Sequence, residues 1–225
     1  NSHRQDQAHI VYNKIVSDIG SFATSLEQIN IQSDVEYLSK LSQISATANS
    51  VIRLCINSDE YISEVALPNL LLDIIPNESN LFIGNSMSIR DFDSYSFRTC
   101  SSPDFNLHIA ANRGASGIDG IIASAVGFGI GHKGLTTVLL GDLSAFHDLN
   151  SLFLVANSTQ KLIIIIVNNN GGGIFHFLPV RTQNNFEKYF ATPLNINFKS
   201  AAELFRLNYS IATAKSTFTE AYQKA

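Results

Sequence analysis

Six apolar residues in succession, Leu162–Val167, close on Asn168-Asn169-Asn170-Gly171-Gly172-Gly173, and this stretch constrains the chain more than any other. A strand wetted on one side alternates apolar and polar residues, so an uninterrupted apolar run must be buried on both faces. Comparable runs at 81–84, 107–110 and 136–140 alternate with helix-length segments near 118–129 and 149–156. That order predicts an α/β fold, a parallel sheet flanked by helices. In such sheets ligands bind at the carboxyl ends of the strands.

Upstream, Ile10, Ile15, Ile19, Phe22 and Leu26, then Val35, Leu38, Leu41 and Ile44, recur at the spacing of amphipathic helices. A helix is also expected over about 60–75, with Pro68 as a kink or a late start. The polar stretch 27–34 is the best candidate linker. We therefore expect residues 1–30 to be the end of one domain and 31–225 to form the next. The chain starts without Met and stops inside a helical pattern at 217–225, so it is expected to be a segment of a longer protein.

Composition narrows the function classes. With 15 Lys and Arg against 19 Asp and Glu, the formal charge of the 225 residues is −4, so no basic field exists to hold nucleic acid. The longest apolar run is far short of the roughly 20 residues of a membrane helix, and Asn1 to Asp6 is unlike a secretory leader. A soluble chain is expected. Cys55 and Cys100 stand far apart with no zinc-ligand spacing, and are read as reduced.

Four strand ends carry polar, Gly-rich sequence: Gly84-Asn85-Ser86 with Arg90 following, Asn112-Arg113-Gly114-Ala115-Ser116-Gly117-Ile118-Asp119-Gly120, Gly141-Asp142-Leu143-Ser144, and 168–173. Glycines there let backbone N–H groups approach a ligand. Asp142 and Asn169 are one strand-helix-strand unit apart, which returns the chain to a neighbouring strand end. A carboxylate, an amide oxygen and the Gly171 carbonyl are hard oxygen donors suited to Mg2+, which shares its shell with phosphates and water. The plainer alternative is that Asp142 caps a helix and the asparagines make a turn.

Gly-Asp, then about 27 residues, then Asn-Asn with Gly two places on resembles the cofactor motif of thiamine diphosphate-dependent enzymes. The flanking GNSMSIRDFD, ANRGASGIDG, GDLSAFHDLN and VNNNGGGIFHFLP resemble, more narrowly, the 2-succinyl-5-enolpyruvyl-6-hydroxy-3-cyclohexene-1-carboxylate synthase family of menaquinone biosynthesis. Leu143, where the wider superfamily usually has Gly, is what that family shows. The resemblance implies the pyrophosphate-binding domain of a thiamine fold, preceded by the end of a central domain.

It further implies thiamine diphosphate bound through Mg2+ or Mn2+, with Asp142 and Asn169 ligating by side chain and Gly171 by its carbonyl. Gly141 opens that motif, and Leu143 and Ser144 would meet the diphosphate. Ile118 matches the apolar wedge that bends the cofactor, Arg90 and Arg113 the arginines that bind substrate carboxylates, with Ser86 adding a hydrogen bond. Ile174 and Phe175 match residues lining the second substrate's pocket. Two parallel hydrogen bonds from a planar guanidinium suit a carboxylate. The implied reaction decarboxylates 2-oxoglutarate and adds the succinyl unit to isochorismate. The family's cofactor-activating glutamate lies on a pyrimidine-binding domain of a second subunit and has no match here. The implied protein is therefore a homodimer or homotetramer, cytoplasmic or in a plastid, and this segment alone should be inactive. Another thiamine diphosphate-dependent lyase or decarboxylase, or a catalytically silent cofactor-binding domain, stays open as an alternative.

Other residues invite plainer readings. Gly127, Gly129 and Gly131 fall late in a helix and read as close packing, and Asp119 as a helix N-terminal residue. His147 reads as interface packing and His176 as a possible pocket neighbour. His3, His9, His108 and His132 read as surface or capping residues, and Arg98 and Arg181 as solvated.

Overall fold

The computed structural model describes residues 10, 12–29, 34–96 and 105–225. Its two compact units are Asn1–Ala48 and Asn49–Ala225. In the first, α1 (Ile19–Glu27) starts where Asp18 accepts the Ser21 N–H at 3.0 Å. That cap ends the helical pattern short of Ile10 and Ile15. Helix α2 (Val35–Asn57) starts where Asp34 accepts the Tyr37 N–H at 2.9 Å. The apolar residues Ile19, Leu26, Leu38, Leu41 and Ile44 of these helices are exposed. The stretch 27–34 lies partly outside the described residues, as do His3, His9, Arg98 and Cys100 entirely. Cys55 is a free, exposed thiol.

In the second unit, Pro68 sets a helix start and no kink. A 3-10 turn at Glu64–Ala66 leads into α3 (Leu67–Ile74), with the proline in the first turn, where its missing N–H costs nothing. Then follow β1 (Ser79–Ile83), α4 (Met87–Tyr95), β2 (Leu107–Ala110), α5 (Ile121–Gly131), β3 (Thr136–Gly141), α6 (Asp142–His147), α7 (Leu152–Ala156), β4 (Leu162–Val167), α8 (Phe198–Leu204) and α9 (Lys215–Lys224). All strand pairs are parallel, in the order β2-β1-β3-β4. Helix α6 was not legible in advance, and α5 begins three residues later than expected.

The two central strands explain the apolar runs. Leu81, Ile83 and Leu139 face a core built with Leu67, Leu71 and Leu72 of α3, Phe92 of α4, and Phe218 and Tyr222 of α9. Phe82, Val138 and Leu140 face the opposite core, with Ile121, Ile122 and Ala125 of α5, Leu152 of α7 and Phe198 of α8. Alternate side chains of one strand thus enter different cores, each fully buried one contributing roughly 1.5–3 kcal/mol. Tyr222 also hydrogen-bonds Thr137 at 2.7 Å, fastening α9 to the sheet. Gly129 serves close packing: a Cβ there would lie 2.6 Å from Thr136 Oγ1.

Strand order sets the site. The chain leaves β1 for β2 on one side and returns to β3 on the other, so a switch point lies between β1 and β3. A crevice opens there at the carboxyl ends. The register pairs Gly141 with Val167, which brings the residues after β3 and β4 to one rim.

Candidate functional site

Helix α6 begins as β3 ends, so Asp142 stands at the rim and is 1% exposed. Its Oδ1 accepts the Leu143 N–H at 2.7 Å and its Oδ2 accepts the Gly171 N–H at 2.8 Å. Burial pushes its carboxyl above the ordinary carboxylate range, opposed by backbone N–H groups of Leu143, Gly171 and Asn170. Asp142 is the first residue of α6 and the partner of the asparagine loop, but it does not cap the helix: the cap position is Gly141, and no side chain caps there.

The loop after β4 is held against the segment that follows residue 190. Gly171 has φ +134°, and a Cβ on it would lie 2.2 Å from the Ala191 carbonyl oxygen. The Gly172 N–H donates to that oxygen at 2.6 Å, and the Asn195 N–H donates to Asn170 Oδ1 at 2.9 Å. Only glycine fits this approach. Asn169 donates through Nδ2 to Glu64 Oε1 at 2.9 Å.

A cavity of about 200 Å³ opens at this rim. It is lined by Ser86, Ile118, Gly141, Asp142, Leu143, Ser144, Asn169, Gly171, Ile174 and Phe175, so ten of the twelve candidate residues converge. Arg90 and Arg113 are exposed and do not line it; Arg90 donates to the Ser86 carbonyl at 2.6 Å. His147 and His176 also lie off the cavity. His147 is exposed beside Phe146, and the His176 ring packs edge-on to Phe186. His108 and His132 pair ring to ring 4.8 Å apart, and His132 also closes α5 as its C-cap. Arg181 is exposed.

Sequence reasoning missed Glu64, Asn85 and Asp91 as cavity residues. Asn85 belongs to a strand-end motif, whereas Glu64 is 105 residues from Asn169 and carries no local signal. Asn85 donates through Nδ2 to the Gly117 carbonyl at 2.8 Å, holding the segment that presents Ile118, while its buried Oδ1 has no partner. Beside it, Ser86 has φ 70° and ψ −131°, a strained backbone for a residue with a side chain. Asp119 does not cap α5. Asp148 does, its Oδ2 accepting the N–H groups of Ile122 at 2.6 Å and Ala123 at 3.1 Å.

The electrostatics suit a cation. Among the described residues, Glu64, Asp91 and Asp142 line the cavity and no Lys, Arg or His does. Asp91 is 5% exposed, and burial, then the nearby Glu64 charge, push its carboxyl up to about 6. Among the described residues no cluster of three or more His, Cys, Asp or Glu side chains is set to hold a metal. The donors present are mixed: the Asp142 carboxylate, the Asn169 amide oxygen left free when Nδ2 bonds Glu64, and the Gly171 carbonyl. An all-oxygen set of one carboxylate and two neutral oxygens fits a hard divalent cation that keeps other positions for phosphate or water.

No protein-family model matches the chain. It is 39% identical over 224 residues to the 2-succinyl-5-enolpyruvyl-6-hydroxy-3-cyclohexene-1-carboxylate synthase of Chlorobium phaeobacteroides (98% of this chain, 38% of that protein). The synthase of Chlorobium chlorochromatii is 45% identical over 169 residues (75% and 28%), and that of Rubrobacter xylanophilus 35% over 224 residues (99% and 38%). By sequence, the chain belongs to this synthase family. It spans between 28% and 38% of the length of these relatives. Among solved structures, the thiamine diphosphate-dependent 4-hydroxybenzoylformate decarboxylase of Rhodococcus jostii RHA1 matches with TM-score 0.57 and 22% identity, over 75% of this chain and 31% of that one. That likeness shows the fold, an α/β parallel sheet flanked by helices. No helix among the described residues is long and apolar enough to cross a membrane.

Proposed function

We propose that this chain is the metal- and diphosphate-binding part of a thiamine diphosphate-dependent synthase that takes 2-oxoglutarate and isochorismate. Residues 1–30 would close a preceding central domain and 31–225 would form the pyrophosphate-binding domain. The observation that carries the reading is the contact between Asp142 and Gly171 in an acid-lined cavity at the switch point of the sheet. It joins the two halves of a motif that resembles a diphosphate-metal site, in a chain related to synthases of that name.

Asp142, Asn169 and the Gly171 carbonyl would hold Mg2+ or Mn2+, and Gly141, Leu143 and Ser144 would lie against the diphosphate. Ile118, kept in place by the Asn85 hydrogen bond to Gly117, would press an apolar side chain against the cofactor. Thiamine diphosphate supplies the electron sink that decarboxylation and carbon-carbon bond formation need. Ser86, Arg90 and Arg113 would bind substrate carboxylates, each arginine swinging inward from its exposed position, while Ile174 and Phe175 shield the pocket from water. A pyrimidine-binding domain of a second subunit would complete the site in a homodimer or homotetramer.

The test is calorimetric titration of thiamine diphosphate with Mg2+ into the complete protein, then turnover of 2-oxoglutarate and isochorismate on the same sample. Binding with turnover supports the synthase. Binding without turnover points to another thiamine diphosphate enzyme, and no binding leaves a silent scaffold.

A further inference from the structure

Glu64 enters the cavity from a part of the chain that belongs to none of the strand-end motifs. It sits in the 3-10 turn ahead of α3, and its Oε1 accepts the Asn169 Nδ2–H at 2.9 Å across 105 residues. A terminal amide has one donor end and one acceptor end, so whatever binds the nitrogen decides which end remains for a ligand. A carboxylate has no proton to give, and it therefore selects the nitrogen. Gly173 closes the same side, since a Cβ there would lie 2.7 Å from Asn169 Nδ2. The Asn169 amide is thus held by its nitrogen, and its oxygen is the end left for a cation.

A hydrogen bond from an amide to a carboxylate also polarises the amide and raises the electron density on its oxygen. Partners that orient and polarise a ligand in this way commonly set metal affinity by about 10–100-fold. Ahead of α3, a turn opened by Glu64 with Pro68 behind it gives the carboxylate a short, stiff mounting.

We propose that Glu64 is a positioning residue of the cation site: by anchoring the Asn169 nitrogen it turns the amide oxygen to the metal. This rests on Asn169 being a metal ligand. The experiment is a Mg2+ titration of the complete protein at fixed thiamine diphosphate, following cofactor binding by calorimetry. Glu64→Ala should raise the Mg2+ concentration for half-saturation by about 10–100-fold, while cofactor affinity at saturating Mg2+ stays within about threefold. Glu64→Gln, whose amide oxygen can still accept from Asn169, should recover most of the loss. An unchanged half-saturation in Glu64→Ala overturns the proposal, and so does a Glu64→Gln as weak as Glu64→Ala, because the hydrogen bond would then not be the cause. Asp142→Asn separates the two failures. If it abolishes Mg2+ dependence while Glu64→Ala changes nothing, the metal site stands and only the role of Glu64 falls. If neither variant changes it, the metal site itself is wrong.

Discussion

The backbone N–H of Gly171 donates to Asp142 Oδ2 at 2.8 Å, tying two strand-end loops 29 residues apart into one wall. The same carboxylate accepts from Leu143, so both its oxygens are already oriented by main-chain donors. Such a carboxylate presents fixed lone pairs to a cation without first having to be ordered. The arrangement is costly while no cation neutralises it, which is why burial lifts the Asp142 carboxyl above its ordinary range.

Asp142→Asn keeps the shape and removes the charge. One of its two side-chain ends becomes an NH2 facing a backbone N–H, so the ligand geometry is also lost. Mg2+-dependent binding of thiamine diphosphate should weaken at least tenfold by calorimetry, and an unchanged affinity would remove Asp142 from the ligand set.

Asp91 gives a pH signature. Burial pushes its carboxyl up to about 6 in the fold, against the ordinary 3.8 of an exposed aspartate in the unfolded chain. The folded state therefore binds more protons between these values, and stability falls as pH rises through this window. Asp91→Asn should be more stable than the parent at pH 7.5, by up to about 2–3 kcal/mol, and equal to it below pH 4. Urea unfolding at the two pH values, without divalent cations, checks this; an equal difference at both would dismiss the burial effect.

Ser86 holds a backbone conformation that favours glycine, at a cost of about 1–3 kcal/mol. Ser86→Gly should match or exceed the parent in thermal stability while losing the hydroxyl from the cavity. The expected signature is a higher KM for the carboxylate substrate with an unlowered melting temperature. A variant less stable than the parent would show that the serine is not strained.

Gly171→Ala should act in the opposite sense. Its Cβ would be driven to 2.2 Å from a backbone oxygen at a positive φ, so about 2–4 kcal/mol of stability should be lost. Thermal melting measures it, and a loss under about 1 kcal/mol would mean that the 190–192 segment yields.

The sequence by itself determined the parallel sheet. Runs such as 81–83 and 138–140 are apolar on consecutive positions and buried, and only a strand covered on both sides can bury them, whereas 162–167 forms the edge strand β4 and is half-buried, its side chains divided between the two cores. The sequence also determined that Asp142 and Asn169 would line one rim, because one strand-helix-strand unit returns the chain to a neighbouring strand end. Pro68 marked the start of α3, whereas capping residues fixed helix starts less reliably. Asp18 shortened α1, and the N-terminus of α5 took its cap from Asp148 and not from Asp119, since a cap reached through space leaves no local pattern. Only the tertiary structure decided that Glu64 and Asp91 would stand in the cavity wall, that Asn85 would hold the segment before Ile118, and that Arg90 and Arg113 would lie outside the lining. These are matters of side-chain contact between distant segments. Periodicity reports which face of an element is buried, whereas the partner that a polar group finds there is set by packing the elements together.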